Sequence, residues 1–484
     1  MTRNSLTRYA SQMDRRTLLT AAASAGLSPL FVAFRPARAT LPMARLAVRL
    51  EARTGHAQLL DAGEPRTSIW GYNGTVPGPT IRIARGGEIE ATLVNGLDEA
   101  TTIHWHGVHI DNAMDGVAHL TTPLTEPGAT FDYRFHVPHA GTYWYHPHAH
   151  RAMQQGRGLY GLLVVEEREH VAVDRDLALV IDDWRLENDG SIETRSLAGL
   201  HDAAHAGRLG NVITINGQPL AQFPVRRHER LRMRLCNTCN ARSLELRLED
   251  VAVQLVAIDG MPVPPMALAD GRIDLPPGGR ADIVVDVTGA AGTLAAVTEV
   301  SHQRLVLGHL AVAAGAPTRE QRLDTPLLLP SNGVPLPDLR DDPLVFDLRM
   351  EGGAMGGMPE IEVHGKRMDL REAARRHRMV WAFNGKADAH DAPVFKVKSG
   401  RPVAIRIDNA TAWPHAMHLH GHHFVAIQRS TGALRPWLHD TLLMGRRETA
   451  TLAFVAGKPG RWMLHCHMLE HQMSGMSCYF EVEA

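Results

Sequence analysis

Short runs of alternating apolar and polar residues fill most of the chain, and glycine, proline or asparagine separates one run from the next. Residues 81–85 read IRIAR, and residues 158–165 form an apolar run interrupted by glycines. Runs of this length, divided by turn residues, are typical of short strands in sandwich folds. A helical pattern is confined chiefly to residues 196–208 and 369–378. The pattern predicts an all-β chain of sandwiches that begins near Leu41.

Several short motifs return along the chain at matching positions. Asn95 stands nine residues before His104, and Asn409 stands nine residues before His418. An asparagine–glycine pair that follows an apolar run occurs three times, as WGYNG at 70–74, ITING at 213–217 and WAFNG at 381–385. Internal repetition of this kind indicates a series of related structural units.

The length of 484 residues is consistent with three domains. We place the first domain at residues 40–168, the second at 169–315 and the third at 343–484, with a proline-rich connector at 316–342. The first and third domains read as copies of each other, since both carry paired histidines at the same two places. The formal net charge of −1 gives no indication of a nucleic-acid partner.

The first 39 residues have the pattern of an export signal. Arg15 and Arg16 precede an apolar run from Leu18 to about Phe34, and residues 37–39 offer small side chains for cleavage. This pattern predicts a twin-arginine signal, and with it the twin-arginine export machinery as a partner and a periplasmic location. The alternative is a short N-terminal helix or anchor. No other segment has the pattern of a membrane span.

The chemistry of the chain is concentrated in its last forty residues. The run HCHMLEH occupies residues 465–471, and Met476 follows. Two imidazoles, one thiolate and a weak axial methionine are the ligands of a blue-copper electron-transfer site. If residues 463–467 form a strand, Cys466 points to one face while His465 and His467 point to the other. One strand could therefore serve two metal sites.

Three further histidine clusters accompany this run: HWHG at 104–107, WYHPH at 144–148 and HAMHLHG at 415–421. Together the four clusters resemble the copper-binding motifs of the multicopper oxidases, the family of laccases, ascorbate oxidase, ceruloplasmin and the bacterial copper-efflux oxidases. The resemblance covers about residues 41–484. It implies three consecutive cupredoxin-like Greek-key β-sandwich domains and four copper ions.

The resemblance also implies a ligand set for each copper. The type 1 ligands would be His415, Cys466, His471 and Met476. The type 2 ligands would be His104 and His418. The pair of type 3 ions would take His106, His146, His148, His420, His465 and His467. Since each end of the chain supplies half of the trinuclear ligands, we expect the first and third domains to touch.

The middle domain lacks ligands at the equivalent positions. The spacing from Asn237 places Leu246 and Leu248 at the first histidine pair, and the spacing from Gly292 places Val297 and Glu299 at the second. In the first domain, Pro147, Thr101, Ala152 and Arg157 stand where the third domain has its type 1 ligands. Only the third domain is therefore expected to hold a blue site.

The expected reaction is the one-electron oxidation of a reductant at the type 1 copper, coupled to four-electron reduction of O₂ to water at the trinuclear cluster. We favour a laccase-like enzyme that oxidises phenols or aromatic amines. The alternatives are a cuprous oxidase for periplasmic copper tolerance and a non-enzymatic copper-binding relative. The latter would have lost the ligands that this chain retains, and a two-domain copper nitrite reductase would lack the His-Cys-His run.

Reduction of O₂ requires protons, and Asp115 matches a family position for an acidic residue near the cluster. The alternative for Asp115 is a turn residue before Gly116. Some bacterial relatives carry an acid directly after the last type 1 histidine, where this chain has Gln472. Neighbouring Glu470 is open to a structural role.

Methionines and cysteines supply the remaining candidates. Met476 as axial ligand would hold the type 1 potential in a lower range. A glycine-rich loop with three methionines, residues 350–358, either admits Cu(I) or only packs. Cys236 and Cys239 form a C-x-x-C that permits a disulfide or a metal site, although two buried thiols fit the position better. Cys478 is expected in the core.

Overall fold

The computed structural model describes residues 44–301, 303–340 and 342–484. The predicted export signal at residues 1–39 lies outside these ranges. The described chain is mostly strand, and its strands form six sheets. Each of three consecutive stretches of the chain forms two of these sheets, which make one sandwich. This confirms the predicted all-β fold of three cupredoxin-like sandwiches. We refer to them as the first, middle and third sandwich.

The first sandwich pairs two four-stranded sheets, with strand orders β2-β1-β4-β6 and β3-β8-β7-β5. In both sheets a parallel pair, β1 with β4 or β3 with β8, joins strands distant in sequence. The strands are β1 Arg45–Ala57, β2 Thr67–Tyr72, β3 Ile81–Ala84, β4 Glu88–Asn95, β5 His104–His106, β6 Thr130–His136, β7 Gly141–His146 and β8 Gly161–Glu166.

The middle sandwich has sheets of six and five strands, ordered β10-β9-β12-β17-β14-β15 and β11-β19-β18-β13-β16. Its strands are β9 Arg175–Trp184, β10 Val212–Ile215, β11 Ala221–Val225, β12 Arg230–Asn237, β13 Leu244–Leu248, β14 Val251–Ile258, β15 Met261–Ala267, β16 Arg272–Leu275, β17 Arg280–Val287, β18 Leu294–Glu299 and β19 Leu305–Val312. Between Val312 and Leu344 the described residues form no helix or strand.

The third sandwich has sheets of nine and five strands, ordered β22-β21-β24-β23-β20-β26-β31-β28-β29 and β25-β33-β32-β27-β30. Its strands are β20 Leu344–Gly352, β21 Glu360–Val363, β22 Lys366–Asp369, β23 Trp381–Phe383, β24 Lys386–Ala387, β25 Lys396–Lys398, β26 Pro402–Asn409, β27 His415–Leu419, β28 Phe424–Arg429, β29 Leu438–His439, β30 Thr441–Met444, β31 Thr449–Val455, β32 Gly460–Cys466 and β33 Ser477–Glu483.

Helices are few and short. Within the described ranges the α-helices are α1 Arg151–Gln155, α2 Leu200–Ala204, α3 Leu370–His377 and α4 Leu469–Met473, and 3₁₀ helices span Asn112–Met114 and Thr194–Ala198. The prediction of a helix at 369–378 is confirmed, because Asp369 caps α3 by accepting the amides of Arg371 and Glu372. The helical pattern at 196–208 corresponds to two short helices, because extended backbone at Gly199 separates the 3₁₀ helix from α2, and α2 ends at Ala204.

The repeated asparagines make equivalent hydrogen bonds in all three sandwiches. Each follows a long strand, donates from Nδ2 to two backbone carbonyls and accepts a backbone N–H two residues later. All three are fully buried. The residues are Asn95, Asn237 and Asn409. The asparagine therefore fixes the loop that leads into β5, β13 or β27, the strand that carries the first histidine pair or its equivalent.

The paired strands at the ligand positions also correspond. His104 pairs with His146 between β5 and β7, and His418 pairs with His465 between β27 and β32. In the middle sandwich β13 pairs with β18 in the same way, but Leu246 faces Glu299. This register differs by two residues from the one that the sequence spacing predicts. The reason is that β18 begins two residues after Gly292, whereas β7 and β32 begin at their glycines.

The first and third sandwiches are in contact, as the sequence predicts. Buried side chains of both belong to one continuous hydrophobic cluster that includes Trp105 and Trp462. Asn112 Nδ2 donates to the carbonyl of Arg461 at 2.6 Å. The middle sandwich has its own core. Within the described residues, no helix has the length and apolar character needed to cross a bilayer.

Candidate metal centre

Three predicted type 1 ligands lie together at the end of β32. Cys466 is the last residue of that strand, His415 begins the neighbouring β27, and α4 carries His471. The distances from Cys466 Sγ to the Nδ1 atoms of His415 and His471 are 3.6 and 3.8 Å. Met476 is buried beside them, and its carbonyl accepts the N–H of Cys466 at 3.1 Å.

The two imidazoles of this group turn their lone pairs toward each other. His471 donates from Nε2 to the carbonyl of His205 at 2.8 Å, and His415 Nε2 lies 2.9 Å from Thr411 Oγ1. The Thr411 hydroxyl donates to Asn409 and so accepts from His415. Both Nδ1 atoms are then acceptors, yet they stand 3.0 Å apart. Two acceptor nitrogens at this distance, beside the Cys466 thiol, fit a shared metal ion.

Burial sets the protonation of the same group. It raises the pKa of the Cys466 thiol to about 12 and lowers the pKa of His471 to about 4. The pKa of His415 is lowered well below its usual range, first by burial and then by His471. The imidazoles are thus neutral and ready to bind a metal at neutral pH, whereas the thiol must lose a proton to become a ligand.

The eight histidines predicted to bind the trinuclear cluster form a second buried group between the first and third sandwiches. We call it the eight-histidine group. They come from β5, from β7 and the turn after it, from β27 and the residue after it, and from the end of β32. Rings from the two sandwiches stack in pairs, with centroids 3.9 Å apart for His104 and His420 and 3.8 Å apart for His106 and His418. All are nearly or fully buried: His104, His106, His146, His148, His418, His420, His465 and His467.

Many ring nitrogens of this group have no hydrogen-bond partner. The unpartnered atoms are His104 Nε2, His106 Nδ1, His146 Nε2, His418 Nε2 and both ring nitrogens of His148 and His467. Buried polar atoms normally have partners, so a cluster of exceptions needs an explanation. Sets of three of these side chains bring their nitrogens within 4.8 Å of one another. The donor set fits metal ions held by imidazole.

Backbone carbonyls fix the tautomers that leave these nitrogens free. His104 donates from Nδ1 to the carbonyl of Asp115 at 2.7 Å, and His418 donates from Nδ1 to that of Asp440 at 2.8 Å. His465 donates from Nδ1 to the carbonyl of Cys466 at 2.9 Å, which leaves Nε2 only 3.0 Å from His420 Nε2. Contacts of this kind orient metal ligands and settle which nitrogen binds.

The carboxylate of Asp115 faces this cluster. Its Oδ2 accepts from His420 Nδ1 at 2.9 Å, and Oδ1 lies 3.4 Å from His104 Nδ1. Burial raises the pKa of Asp115, but the imidazoles of His420 and His104 lower it further than burial raises it. The net pKa is well below the usual range, so the group is an ionised acceptor. Asp115 also precedes Gly116, whose φ is +84°, so the turn interpretation describes its backbone.

Cys466 links the two groups of side chains through the backbone. His465 and His467 flank it in sequence and belong to the eight-histidine group, whereas its own side chain belongs to the other group. The strand ends at Cys466, and His467 N–H donates to the carbonyl of Ala416. One short segment therefore contacts both candidate metal sites, as the predicted alternation of faces requires.

The structure also identifies contacts that sequence reasoning missed. Asp440 and Thr441 lie against the eight-histidine group, and the Trp381 ring packs on His415 and His471 with centroids 5.0 and 4.6 Å away. Trp381 belongs to the repeated WAFNG motif, so its position was available from the sequence. No motif marks Asp440, since a loop after β29 brings it to the site.

The remaining candidates have structural roles. Glu470 accepts from the Asn240 side chain and the Arg208 amide of the middle sandwich, at 2.8 and 3.1 Å. Gln472 is buried and its Nε2 lies 3.9 Å from the sulfur of Met463. The cysteines outside the site are free buried thiols, which confirms that prediction: Cys236, Cys239 and Cys478.

Comparisons with known proteins agree with this geometry. Three multicopper oxidase profiles match residues 53–170, 175–316 and 363–484. Multicopper oxidase MmcO of Mycobacterium tuberculosis is 30% identical over 86% of this chain and 84% of its own. Copper resistance protein A of Escherichia coli is 25% identical over 88% and 92%, and Laccase-1 of Botryotinia fuckeliana is 25% identical over 84% and 77%.

A solved structure shows the same architecture. The multicopper oxidase of Pseudomonas thermotolerans superposes with a TM-score of 0.80 at 31% identity, covering 91% of this chain and all of that one. The fold and the buried histidine and cysteine groups thus define a copper-dependent oxidoreductase of the type that uses O₂ as acceptor. The chain belongs to the multicopper oxidase family.

Proposed function

We propose that the protein is a four-copper oxidase that couples the one-electron oxidation of an aromatic reductant to the reduction of O₂ to water. The observation that carries this proposal is the covalent connection of two buried ligand groups through Cys466. His415, Cys466, His471 and Met476 would hold the type 1 ion. His104 and His418 would hold the type 2 ion, and the other six histidines of the cluster would hold the type 3 pair.

When bound, these copper ions supply one-electron acceptance from the reductant and four-electron transfer to O₂. The chain itself positions the ligands, keeps them in a buried environment of low dielectric, and provides a covalent route for electrons between the two ligand groups. Only the backbone of two adjacent residues separates the Cys466 side chain from those of His465 and His467. Because every ligand side chain is buried, bulk water is excluded from both groups.

Asp115 is the proposed proton-handling group. Its ionised carboxylate holds the Nδ1–H of His420 at 2.9 Å and stands inside the eight-histidine group. A carboxylate in this position could relay protons to the place where oxygen is reduced, binding each proton only briefly because its pKa is low. Gln472 and Glu470 are not placed for this role, because the first contacts Met463 and the second is bonded to the middle sandwich.

The surface above the type 1 group supports an aromatic reductant. The carbonyl of His205 accepts from Nε2 of buried His471 at 2.8 Å, and His205 itself is only partly buried. The His205 ring stacks on that of exposed His201 with centroids 4.3 Å apart, and it meets Trp413 edge-on at 5.3 Å. A planar phenol or aromatic amine could stack on these rings, from which the His205–His471 hydrogen bond leads inward.

Cu(I) remains the second candidate reductant, and Met355 is the observation that favours it. Its side chain is 73% exposed, and the amide of neighbouring Ala354 donates to Ala204, directly before His205. The other two methionines of the predicted loop have packing roles, since Met350 is fully buried and Met358 packs against a small apolar cluster. A single exposed thioether is a weak cuprous site compared with a methionine-rich one.

Steady-state O₂ consumption with 2,6-dimethoxyphenol and with Cu(I) distinguishes the two reductants. The experiment compares the wild type with Met355→Ser, and Met358→Leu serves as a control that preserves packing. We expect phenol turnover in all three proteins. Loss of Cu(I) oxidation in Met355→Ser alone, with Cu(I) the faster substrate of the wild type, would replace the laccase-like assignment by a cuprous oxidase.

The proposed site of action is the periplasm, reached through the twin-arginine machinery. Support comes from Arg15 and Arg16 before the apolar run in the N-terminal 39 residues. Expression of the full chain in a bacterium with and without a functional twin-arginine pathway tests this. Cleaved protein in the periplasmic fraction is expected only when the pathway is intact, and the Arg15→Lys/Arg16→Lys variant should stay inside.

A further inference from the structure

Asp440 contacts one proposed copper ligand from each half of the cluster. Its Oδ1 accepts from His106 Nε2 at 3.2 Å, and its backbone carbonyl accepts from His418 Nδ1 at 2.8 Å. These two rings are stacked with an angle of 13° between their planes. The nitrogens left without partners are His106 Nδ1 and His418 Nε2. Asp440 thus determines which nitrogen each ring presents to a metal.

Arg280 holds the Asp440 carboxylate from the middle sandwich. The guanidinium makes two parallel bonds to it, 2.7 Å from Nη1 to Oδ1 and 2.5 Å from Nη2 to Oδ2. Both side chains are fully buried. Two-point contact between a planar guanidinium and a carboxylate fixes orientation as well as charge. The Thr441 hydroxyl also donates to this carboxylate at 2.8 Å. His423 Nε2 lies 3.6 Å from it but donates to the backbone carbonyl of Asp259 at 2.9 Å.

Asp259, an acid of the middle sandwich, also binds the loop that carries Asp440. Asp259 accepts the backbone amides of Asp440 and Thr441 at 3.2 Å each through Oδ2, and that of Arg280 at 3.0 Å through Oδ1. The backbone packs closely here, because a Cβ built on Gly107 would lie 2.5 Å from Asp440 Oδ2. The residue after the His104–His106 motif thus has to be small for Arg280 to reach its partner.

We propose that Arg280 is a positioning residue for the trinuclear copper site, acting through Asp440 on His106 and His418. The inference rests on the proposed copper centre and gives the ligand-free middle sandwich a direct part in it. Removal of Arg280 leaves a buried carboxylate without its charge partner. That carboxylate then turns away, so His106 loses the contact that selects its metal-binding nitrogen. The backbone carbonyl that orients His418 belongs to the same residue and loses the anchor that Arg280 provides.

The alternative is that the Arg280–Asp440 pair only fastens the sandwiches together. A structural pair of the same kind exists nearby as a control: Arg230 makes two bonds to Asp286, at 2.7 and 2.8 Å. Arg230 is also buried and lies in β12, the strand next to β17, but it touches no proposed ligand. A merely structural role predicts similar consequences for Arg280→Met and Arg230→Met.

The test measures copper per chain, the blue absorption and the electron paramagnetic resonance spectrum after reconstitution with Cu(II). We expect Arg280→Met to keep the blue absorption and lose type 2 and type 3 copper, with about 10- to 100-fold weaker affinity at that site. Arg230→Met should retain all four ions. Equal copper content and unchanged type 2 signals in Arg280→Met would overturn the inference.

Two further variants keep the inference testable if Arg280→Met does not fold. Arg280→Lys retains the charge but offers a point contact, and we expect an altered type 2 spectrum with normal type 1 features. Asp440→Asn removes the need for a charge partner, so Arg280→Met should have little additional effect in that background. Fully additive effects would show that Arg280 does not act through Asp440. If the wild type itself binds no copper, the proposed function fails instead.

Discussion

Cys466 occupies the position where the two candidate metal groups meet. Its thiol is buried between two imidazole nitrogens, and its neighbours on either side belong to the eight-histidine cluster. A free thiol with a pKa raised by burial to about 12 is unreactive until a metal replaces its proton. A protonated buried thiol by itself would only pack in the core. The two imidazole nitrogens beside this thiol are what indicate that it binds a soft metal.

Replacement of Met476 tests the axial position. Met476→Leu preserves volume and apolar character but removes the thioether, so less electron density reaches the oxidised metal. We expect a higher type 1 reduction potential with unchanged copper content, measured by redox titration of the blue absorption. Met350→Leu, at a fully buried methionine outside the ligand set, is the matched control. A potential that stays constant in Met476→Leu would contradict the ligand role.

Asp115→Asn tests the proposed proton-handling group. The amide keeps the shape but cannot carry a proton, so we expect oxygen reduction to slow by about 100-fold. Reduction of the type 1 site by phenol under anaerobic conditions should be unaffected, since the other ligand group is untouched. Stopped-flow measurement of both half-reactions separates the two. Equal slowing of both half-reactions would indicate a general structural effect instead.

At the scale of the elements, repeated asparagines place the ligand strands. Asn409 closes the loop before β27 by three hydrogen bonds to backbone groups and one from the Thr411 hydroxyl, which in turn accepts from His415. Asn237 makes the same backbone contacts before β13, where no ligands follow. The same device therefore serves a ligand strand in one sandwich and an apolar strand in another.

Asn409→Ala leaves two carbonyls and an amide unsatisfied in a buried loop. We expect a loss of about 2–4 kcal/mol in the free energy of unfolding, together with a perturbed type 1 spectrum. Asn237→Ala should destabilise by a similar amount and leave that spectrum unchanged. Denaturant unfolding of the copper-free proteins and absorption spectra of the loaded ones provide the two readouts. A normal blue site in Asn409→Ala would show that the loop does not position His415.

Local patterns predicted the class of structure rather than each element. Alternation indicated short strands throughout and located a few of them, such as the run at 81–85, and the spacing from Asn95 and Asn409 aligned the ligand positions. The predicted pairing of β13 with β18 was wrong by two residues. Counting from Gly292 assumes that the strand begins at its glycine, as β7 and β32 do, but β18 begins two residues later. The helical pattern at 196–208 did not show that extended backbone at Gly199 divides the segment into two short helices.

At the scale of the whole molecule, the sequence predicts that the first and third sandwiches touch, but it does not predict which side chains of the middle sandwich reach the ligand cluster. The motifs identified the proposed ligands, but nothing near Asp440 or Arg280 in sequence marks them as neighbours of the cluster. Their proximity depends on how three sandwiches pack, and so does the cover of His205 over His471. Sequence patterns are informative where ligands recur at matching spacings, and they fail where a single side-chain pair such as Arg280 and Asp440 joins distant parts of the chain.

The buried histidines make stability depend on pH. Burial lowers the pKa of His420 and of His471 to about 4, below the ordinary value of 6.5. The unfolded chain therefore binds more protons between those values, and each such histidine costs roughly 1.4 kcal/mol per pH unit as pH falls from 6.5 toward 4. Burial raises the pKa of Asp259 to about 7 and opposes this trend, but such carboxyls are far fewer.

We therefore expect the copper-free protein to lose stability steadily as the pH falls from 6.5 toward 4. Thermal unfolding followed by circular dichroism at several pH values, with chelator present, measures this. His471→Gln should reduce the slope, because one buried imidazole no longer titrates on unfolding. Stability that is constant between pH 6.5 and 4.5 would contradict the burial of neutral imidazoles.

The most direct test of the central claim is the copper content and absorption spectrum of the purified wild type beside Cys466→Ser. The two ligand groups predict four copper ions and an intense blue absorption in the wild type. In Cys466→Ser they predict three ions, no blue absorption and no turnover of reductant, with the trinuclear spectrum preserved. A wild type that binds a single copper ion, or a Cys466→Ser variant that keeps the blue absorption, would contradict the account.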